Sequence, residues 1–285
     1  MQPLSILITG GNDGIGRAAA QLLLERGHHV ILLGRSPVKL EAAKDTLVYR
    51  TGSQLVDTLV ADLADMSSIQ AAATEFYQRF THLDVLVNNA GMFTNEYAAT
   101  AQGYEMQWGV NYLGAFLLTR LLLPALSKAD APRIVNVSSA AHFYGRLALE
   151  RTEVHHPPAK YDGLQAYAQS KLALVLFTRE LARRYPDIRS NCLHPGVIRR
   201  RFANKNARTL VSWVWTLYKP FMRSPHYGAN RLVYLAVSPE IEEVSGRYFD
   251  DKFRCRKPLE VARDPEQGKV LWEWSEKAVL PYLLT

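Results

Sequence analysis

The segment "YAQSK" puts Tyr167 and Lys171 four positions apart. On a helix that spacing stacks both side chains on one face, one turn from each other. An ammonium held beside a phenol stabilises the phenolate, and a tyrosine so tuned can give a proton to an alcohol oxygen or take one from it. With fourteen tyrosines in the chain such a pair is expected by chance, so its meaning depends on what accompanies it. Ser139, ending "VSS", is a hydroxyl that could hold the same oxygen. Near the start, Gly10, Gly14 and Gly16 interrupt "LSILITGGNDGIGRAAAQLLLERG" where a strand-like apolar run passes into an amphipathic helix-like one. Glycine lets backbone approach a ligand closely, and unpaired N–H groups at a helix start favour an anion. The ligand expected at this junction therefore carries phosphate.

A dinucleotide there would ordinarily meet an acidic residue about twenty positions past the glycines, which binds the ribose hydroxyls of NAD. The interval from Arg26 to Leu40 holds no acid, and the second strand-like run ends instead in Gly34-Arg35-Ser36, with Lys39 one turn further on. An arginine at that place can pair a 2′-phosphate bidentately and stack on adenine, which favours NADP over NAD.

These residues must be positioned by a scaffold, and the hydropathy pattern implies which. Strand-like runs "SILIT", "HVILLG", "LVDTLVAD", "LDVLVNNA", "RIVNVSS", "IRSNCLHP" and "GRYF" alternate with helix-like segments at 15–26, 37–47, 67–80, 104–127 and 164–185. Runs apolar on both faces and separated by helices indicate a parallel sheet wound in βαβ units. The expected fold is α/β, a single doubly wound Rossmann-type domain over residues 1–285, with a seven-stranded parallel sheet and helices on both faces. Residues 199–240 break the rhythm and read as an inserted helical substrate lid.

The 285 residues are 48% hydrophobic with charge dispersed throughout, the composition of an ordinary globular protein. Two cysteines, Cys192 and Cys255, lie in no metal-ligand spacing and cannot build a disulfide framework, so neither a metal site nor an oxidising compartment is expected. No secretory signal is visible at the start, and no apolar run reaches the roughly 18 uncharged residues of a membrane-spanning helix. The net charge of +7 comes mostly from bases interspersed with acids, apart from Arg199, Arg200, Arg201, Lys205 and Arg208. Outside the lid there is no interleaved basic and aromatic platform, so nucleic acid is not an expected partner.

Together "TGGNDGIG" (9–16), "NNAG" (88–91), Asn111 in "GVNYLG", "VSS" ending at Ser139, "YAQSK" and "HPG" (194–196) resemble, in order and spacing, the classical short-chain dehydrogenases/reductases. "SSAAH", the long step from Ser139 to Tyr167, "SKLALVLFTRELARR", "GRYF" and "LWEWSE" are similar to the retinol dehydrogenase-like branch. The resemblance implies that Ser139 holds the substrate oxygen and that Tyr167 is the acid/base. Lys171 would tune it and bind the nicotinamide ribose, while Asn111 would hold a water that relays protons to Lys171. It also implies a cofactor site in which Gly10, Gly14 and Gly16 receive the pyrophosphate, Arg35 and Lys39 the 2′-phosphate, Asp62 the adenine amino group and Asn89 the ribose side. Asn12, Ile15, Leu63, Ala90, Gly91, Pro195, Gly196 and Ile198 complete it. The implied activity is NADP(H)-dependent interconversion of an alcohol and an aldehyde or ketone. The competing class is a catalytically idle NADP(H)-binding sensor or interaction protein of the same fold.

Two positions depart from the family pattern. Arg200 stands four residues after Gly196, where a threonine commonly orients the nicotinamide carboxamide, and Asp13 puts a carboxylate into the glycine loop, where it is expected to cap the helix or face solvent. The stretch "TLVSWVWTLYKPFM" concentrates Trp213, Trp215, Tyr218 and Phe221. It reads as a wall for an apolar substrate such as a retinoid, a steroid or an aliphatic carbonyl, as an interfacial membrane patch, or as a helix packed on the core. Its closure over substrate is expected to follow cofactor binding through Arg200. The setting expected is cytoplasmic, with weak peripheral membrane contact and a homodimer left open.

Overall fold

A computed structural model describes residues 2–152, 160–196 and 223–283. Strands β1 (Ser5–Thr9), β2 (His29–Gly34), β3 (Val56–Val60), β4 (Val85–Asn88), β5 (Arg133–Val137), β6 (Arg189–Leu193), β7 (Tyr248–Phe249) and β8 (Cys255–Arg256) form one sheet in the order β3-β2-β1-β4-β5-β6-β7-β8. The first seven are mutually parallel, as expected from the sequence. The eighth corrects the expected count: it pairs antiparallel with β7 through Tyr248↔Arg256 and Phe249↔Cys255. Both its residues are exposed, so it carries none of the apolar patterning by which the others are recognised.

Period-two alternation splits each strand between two cores. Leu7, Ile31, Leu33, Leu86 and Ile134 face helices α3 (Met66–Arg79), α4 (Met106–Leu126), α5 (Gly163–Arg184) and α7 (Pro265–Val279). Ile6, Ile8, Val30, Leu32 and Val135 face α1 (Gly14–Leu24), α2 (Pro37–Thr51) and α6 (Pro225–Val237). Strand order reverses between β2-β1 and β4-β5, so the crevice at the carboxyl ends of β1 and β4 is the topological switch point where this architecture binds ligands.

Helix α4 is long and apolar enough to cross a membrane by length and composition, yet it is mostly buried in the first core, as the central helix of a globular domain is. Helix α6 corrects the lid expectation for its part of 199–240. Its Ala229, Leu232, Val233 and Ala236 are buried with Ile15, Ala19 and Leu23 of α1, so this face of the helix packs on the core. Residues 199–222, with Arg199, Arg200, Arg201, Lys205, Arg208, Trp213, Trp215, Tyr218 and Phe221, lie outside the described residues, as does Ile198.

Candidate active site

The glycine loop leaves β1 at Thr9 with Gly10 and Gly14 in the left-handed region, φ 63° and 55°. A side chain at Gly16 would run into the Gly10 carbonyl and stand 2.7 Å from Asn89 Nδ2, so this turn of α1 packs directly on the loop after β4. Asp13 caps α1, its Oδ1 accepting from Gly14 N at 2.7 Å while the residue stays exposed. Asn12 lies across the end of β2, its Oδ1 2.9 Å from where a Cβ on Gly34 would sit. Just beyond, Arg35 and Lys39 are exposed, and neither has an acidic partner among the described residues. Ser36 caps α2. Asp62 accepts Ala64 N on Oδ1 (2.9 Å), and its second oxygen has no hydrogen bond among the described residues. Leu63 is buried, with its carbonyl against Gly114 of α4.

Thr9 is a residue the sequence reading passed over. Its hydroxyl accepts from the backbone N–H groups of both Asn89 and Ala90 (2.9 Å each), and its carbonyl accepts from Asn89 Nδ2 (2.8 Å). That ties "NNAG" to the glycine loop. Asn88, by contrast, is structural, donating to Thr119 Oγ1 and Asn136 Oδ1 in the interior.

Lys171 and Asn111 meet beside Gly91. Lys171 is 3% exposed and donates from Nζ to the Val137 carbonyl (2.9 Å). The same Nζ lies 5.7 Å from the centre of the Tyr167 ring and 3.1 Å from the Cβ position of Gly91. Asn111 sits where α4 widens into a π turn, Gly109–Leu113, a distortion frequent at functional sites. Its amide accepts Met92 N at Oδ1 (2.7 Å) and donates to Met92 O and Ser170 Oγ (both 3.0 Å). One lone pair on Oδ1 remains for a water. The choice between the two serines is clear in the packing. Ser138 is buried and donates to the Lys171 carbonyl (2.8 Å), whereas Ser139 is half-buried and, among the described residues, its hydroxyl accepts from Ala141 N (3.2 Å) and donates to none.

At the end of β6, Pro195 is buried and Gly196 turns with φ 85°, its N–H donating to His194 Nδ1 (3.3 Å). Burial lowers the pKa of His194, consistent with that unprotonated acceptor. A hollow of about 600 Å³ opens alongside, between Phe143, His194, Tyr248 and the β7–β8 turn, where Asp250 pins Arg254.

The model of the short chain dehydrogenase family matches residues 5–150. Human retinol dehydrogenase 13 is 39% identical over 286 residues, covering 96% of this chain and 84% of the relative. This chain belongs to the short chain dehydrogenase family. Within that family of oxidoreductases it is retinol dehydrogenase-like, with retinol dehydrogenase 11 of Homo sapiens also 39% identical over 86% of the chain and 76% of the relative. Among solved structures, an uncharacterised protein from Mycobacterium paratuberculosis superposes with TM-score 0.77 at 32% identity, covering 97% of this chain and 93% of its own. A short chain dehydrogenase from Shigella flexneri, complexed with NADP, gives 0.70 at 28% identity, covering 87% and 97%.

Proposed function

We propose that this short chain dehydrogenase interconverts an alcohol and an aldehyde or ketone with NADP(H), acting on an apolar substrate such as a retinoid, a steroid or an aliphatic carbonyl. The observation that carries the reading is a run of close contacts from the phosphate loop to the acid/base. Gly16 packs on Asn89, two residues from Gly91, and Gly91 abuts Lys171 beneath the Tyr167 ring. A proton-transfer pair is thereby built against the wall of a cradle for a phosphorylated cofactor.

The residues present fit such a cofactor. No described residue lies within 4 Å of the Cβ position of Gly14, which leaves room for a phosphate at the loop. Gly10, Asn12, Gly14, Ile15 and Gly16 would hold the pyrophosphate half, Arg35 and Lys39 the 2′-phosphate, Asp62 and Leu63 the adenine. Asn89, Ala90, Gly91, Pro195 and Gly196 would line the ribose and nicotinamide. The bound nicotinamide supplies or accepts the hydride. Ser139 would hold the substrate oxygen with its hydroxyl, Tyr167 would give or take the proton at that oxygen, and Lys171 would favour the phenolate. Asn111 would keep a water next to Lys171.

Arg35 supports NADP, since an exposed guanidinium with no acid paired to it among the described residues meets a phosphate without first breaking an ion pair. The NADP complex of the Shigella relative is in keeping with this. An apolar substrate is supported by Phe143 and Tyr144 just past Ser139 and by Leu164 one turn before Tyr167, exposed at 44%, 75% and 57%. The idle reading finds no support among the relatives. The test is an NADPH-oxidation screen over retinoid, steroid, quinone and aliphatic carbonyls, repeated with NADH. Turnover of an apolar carbonyl with NADPH preferred is expected. Equal use of both cofactors would overturn the NADP assignment, and no turnover of any class would overturn the activity.

A further inference from the structure

Asn111 on α4 and the Tyr167–Lys171 pair on α5 come from distant parts of the chain, and one buried amide spans the gap between their elements. Gln107, fully buried in the first turn of α4, donates from Nε2 to the Thr94 carbonyl (3.0 Å), the Gly163 carbonyl (2.9 Å) and the Tyr161 hydroxyl (2.7 Å), its two protons shared among three acceptors. Its Oε1 accepts Thr94 N at 3.3 Å. The Tyr161 hydroxyl passes its own proton toward Glu105 Oε1 at 2.6 Å. Glu105, 6% exposed, caps α4 by accepting Gln107 N (2.9 Å) and Trp108 N (2.7 Å). A buried carboxylate without a cation at hydrogen-bond distance is costly, and here three donors and a helix start hold it.

Each tie ends next to a candidate catalytic side chain. Thr94 follows Met92, whose N–H and carbonyl grip the Asn111 amide, and Phe93, whose ring meets the edge of Tyr167 at 5.6 Å. Gly163 is the first residue of α5, one turn before Tyr167, and has no room for a side chain because the Thr94 carbonyl lies against it. The bodies of α4 and α5 are anchored separately, through Phe116, Phe177 and Trp272 in the core.

We propose that Gln107, braced by Tyr161 and Glu105, is a positioning unit that sets Asn111 and the 92–94 segment relative to Tyr167 and Lys171. The proposal rests on the reading of those three as the catalytic set. Because the bodies of α4 and α5 keep their aromatic anchor in the core when Gln107 or Tyr161 is changed, and Glu105 still caps α4, loss of either side chain disturbs chemistry more than folding or cofactor binding. Displacements of about 1 Å at a reacting centre cost on the order of 10²-fold in rate.

The test uses the full chain and two variants, Tyr161→Phe, which removes one hydroxyl and keeps the ring on Tyr97, and the near-isosteric Gln107→Leu. Thermal unfolding, NADP⁺ titration by fluorescence, and kcat and KM for a carbonyl found in the screen are measured on each. Expected are a roughly tenfold fall in kcat for Tyr161→Phe and about 10²-fold for Gln107→Leu, with one NADP⁺ site per chain and its Kd within about twofold of the parent. Unchanged kcat in Gln107→Leu, or a fall in kcat matched by an equal loss of NADP⁺ sites, would overturn it. Crystal structures of parent and Tyr161→Phe with NADP⁺ form a second arm that needs no turnover. The 92–94 segment should part from Gly163 in the variant, and identical placement of Asn111 and Tyr167 would overturn the proposal. A parent that reduces no carbonyl sinks the proposed activity instead, and the crystallographic arm then decides the positioning role alone.

Discussion

His142, three residues past Ser139, makes the fold acid-sensitive. Its ring is wholly buried, Nδ1 donates to the Ser139 carbonyl at 2.8 Å, and Nε2 has no partner among the described residues. A proton added at Nε2 would enter a buried site walled by the Phe143 and Tyr248 rings, where no hydrogen bond holds it among the described residues. Burial therefore lowers the pKa from 6.5 to about 4, against the upward pull of the Ser139 carbonyl. In the unfolded chain the same imidazole titrates near 6.5. Between these values the unfolded state binds the extra proton, so stability is full above about pH 6.5 and falls as pH drops toward 4. At 1.36 kcal/mol per unit the window is worth about 3 kcal/mol, a large part of a typical domain's 5–15 kcal/mol. His28 and His194 are lowered too and add to the slope, so the informative quantity is a difference. Urea unfolding at pH 7 and pH 4.5 should show the parent losing about 2–3 kcal/mol more than His142→Asn, whose amide can still donate to the Ser139 carbonyl. Equal losses in both proteins would refute the reasoning.

Arg35→Ala should erase most of the preference for NADPH in kcat/KM while leaving NADH use near the parent value; a preference that survives would put the 2′-phosphate site elsewhere. Gly16→Ala forces a methyl into the Gly10 carbonyl, backbone that cannot step aside, so NADP⁺ titration should show Kd weakened by at least about tenfold, and parental affinity would mean the loop is looser than its packing implies. Trp272→Ala on α7 empties a site among Phe116, Phe177 and Tyr185 and removes the ring under the Arg120 and Arg184 guanidiniums, which should cost about 3–5 kcal/mol in denaturant unfolding with kcat unchanged.

The parallel strands were legible because burial on both faces writes a continuous apolar run, as in "SILIT" and "HVILLG", and their helices because the runs between them carry a 3.6-residue period. Helix α7 escaped notice as an element although "LWEWSE" stood out as a motif. Its buried face is Leu271, Trp272, Ser275 and Val279, and a polar residue inside that stripe blurs the period. Helix α6 was absorbed into the lid because the aromatic stretch before it drew the boundary too late. In the site, residues with distinctive chemistry announced themselves: Gly16 packs on Asn89, and Lys171 lies beside Gly91, Asn111 and the Tyr167 ring. Thr9 and Gln107 did not, since threonines and amides are common and their importance lies in partners 80 or 56 positions away. Asp13 capped its helix, one of the two outcomes expected of it.

The central claim is that Tyr167 moves the proton while the glycine loop and Arg35 hold the cofactor. Turnover of an NADPH-dependent carbonyl substrate by Tyr167→Phe, measured beside NADP⁺ affinity in the same preparation, tests it most directly. The account predicts kcat lower by about two to four orders of magnitude with NADP⁺ affinity retained, because the phenol contributes little to cofactor binding. Near-parental turnover with cofactor bound would contradict it and hand the proton to another group.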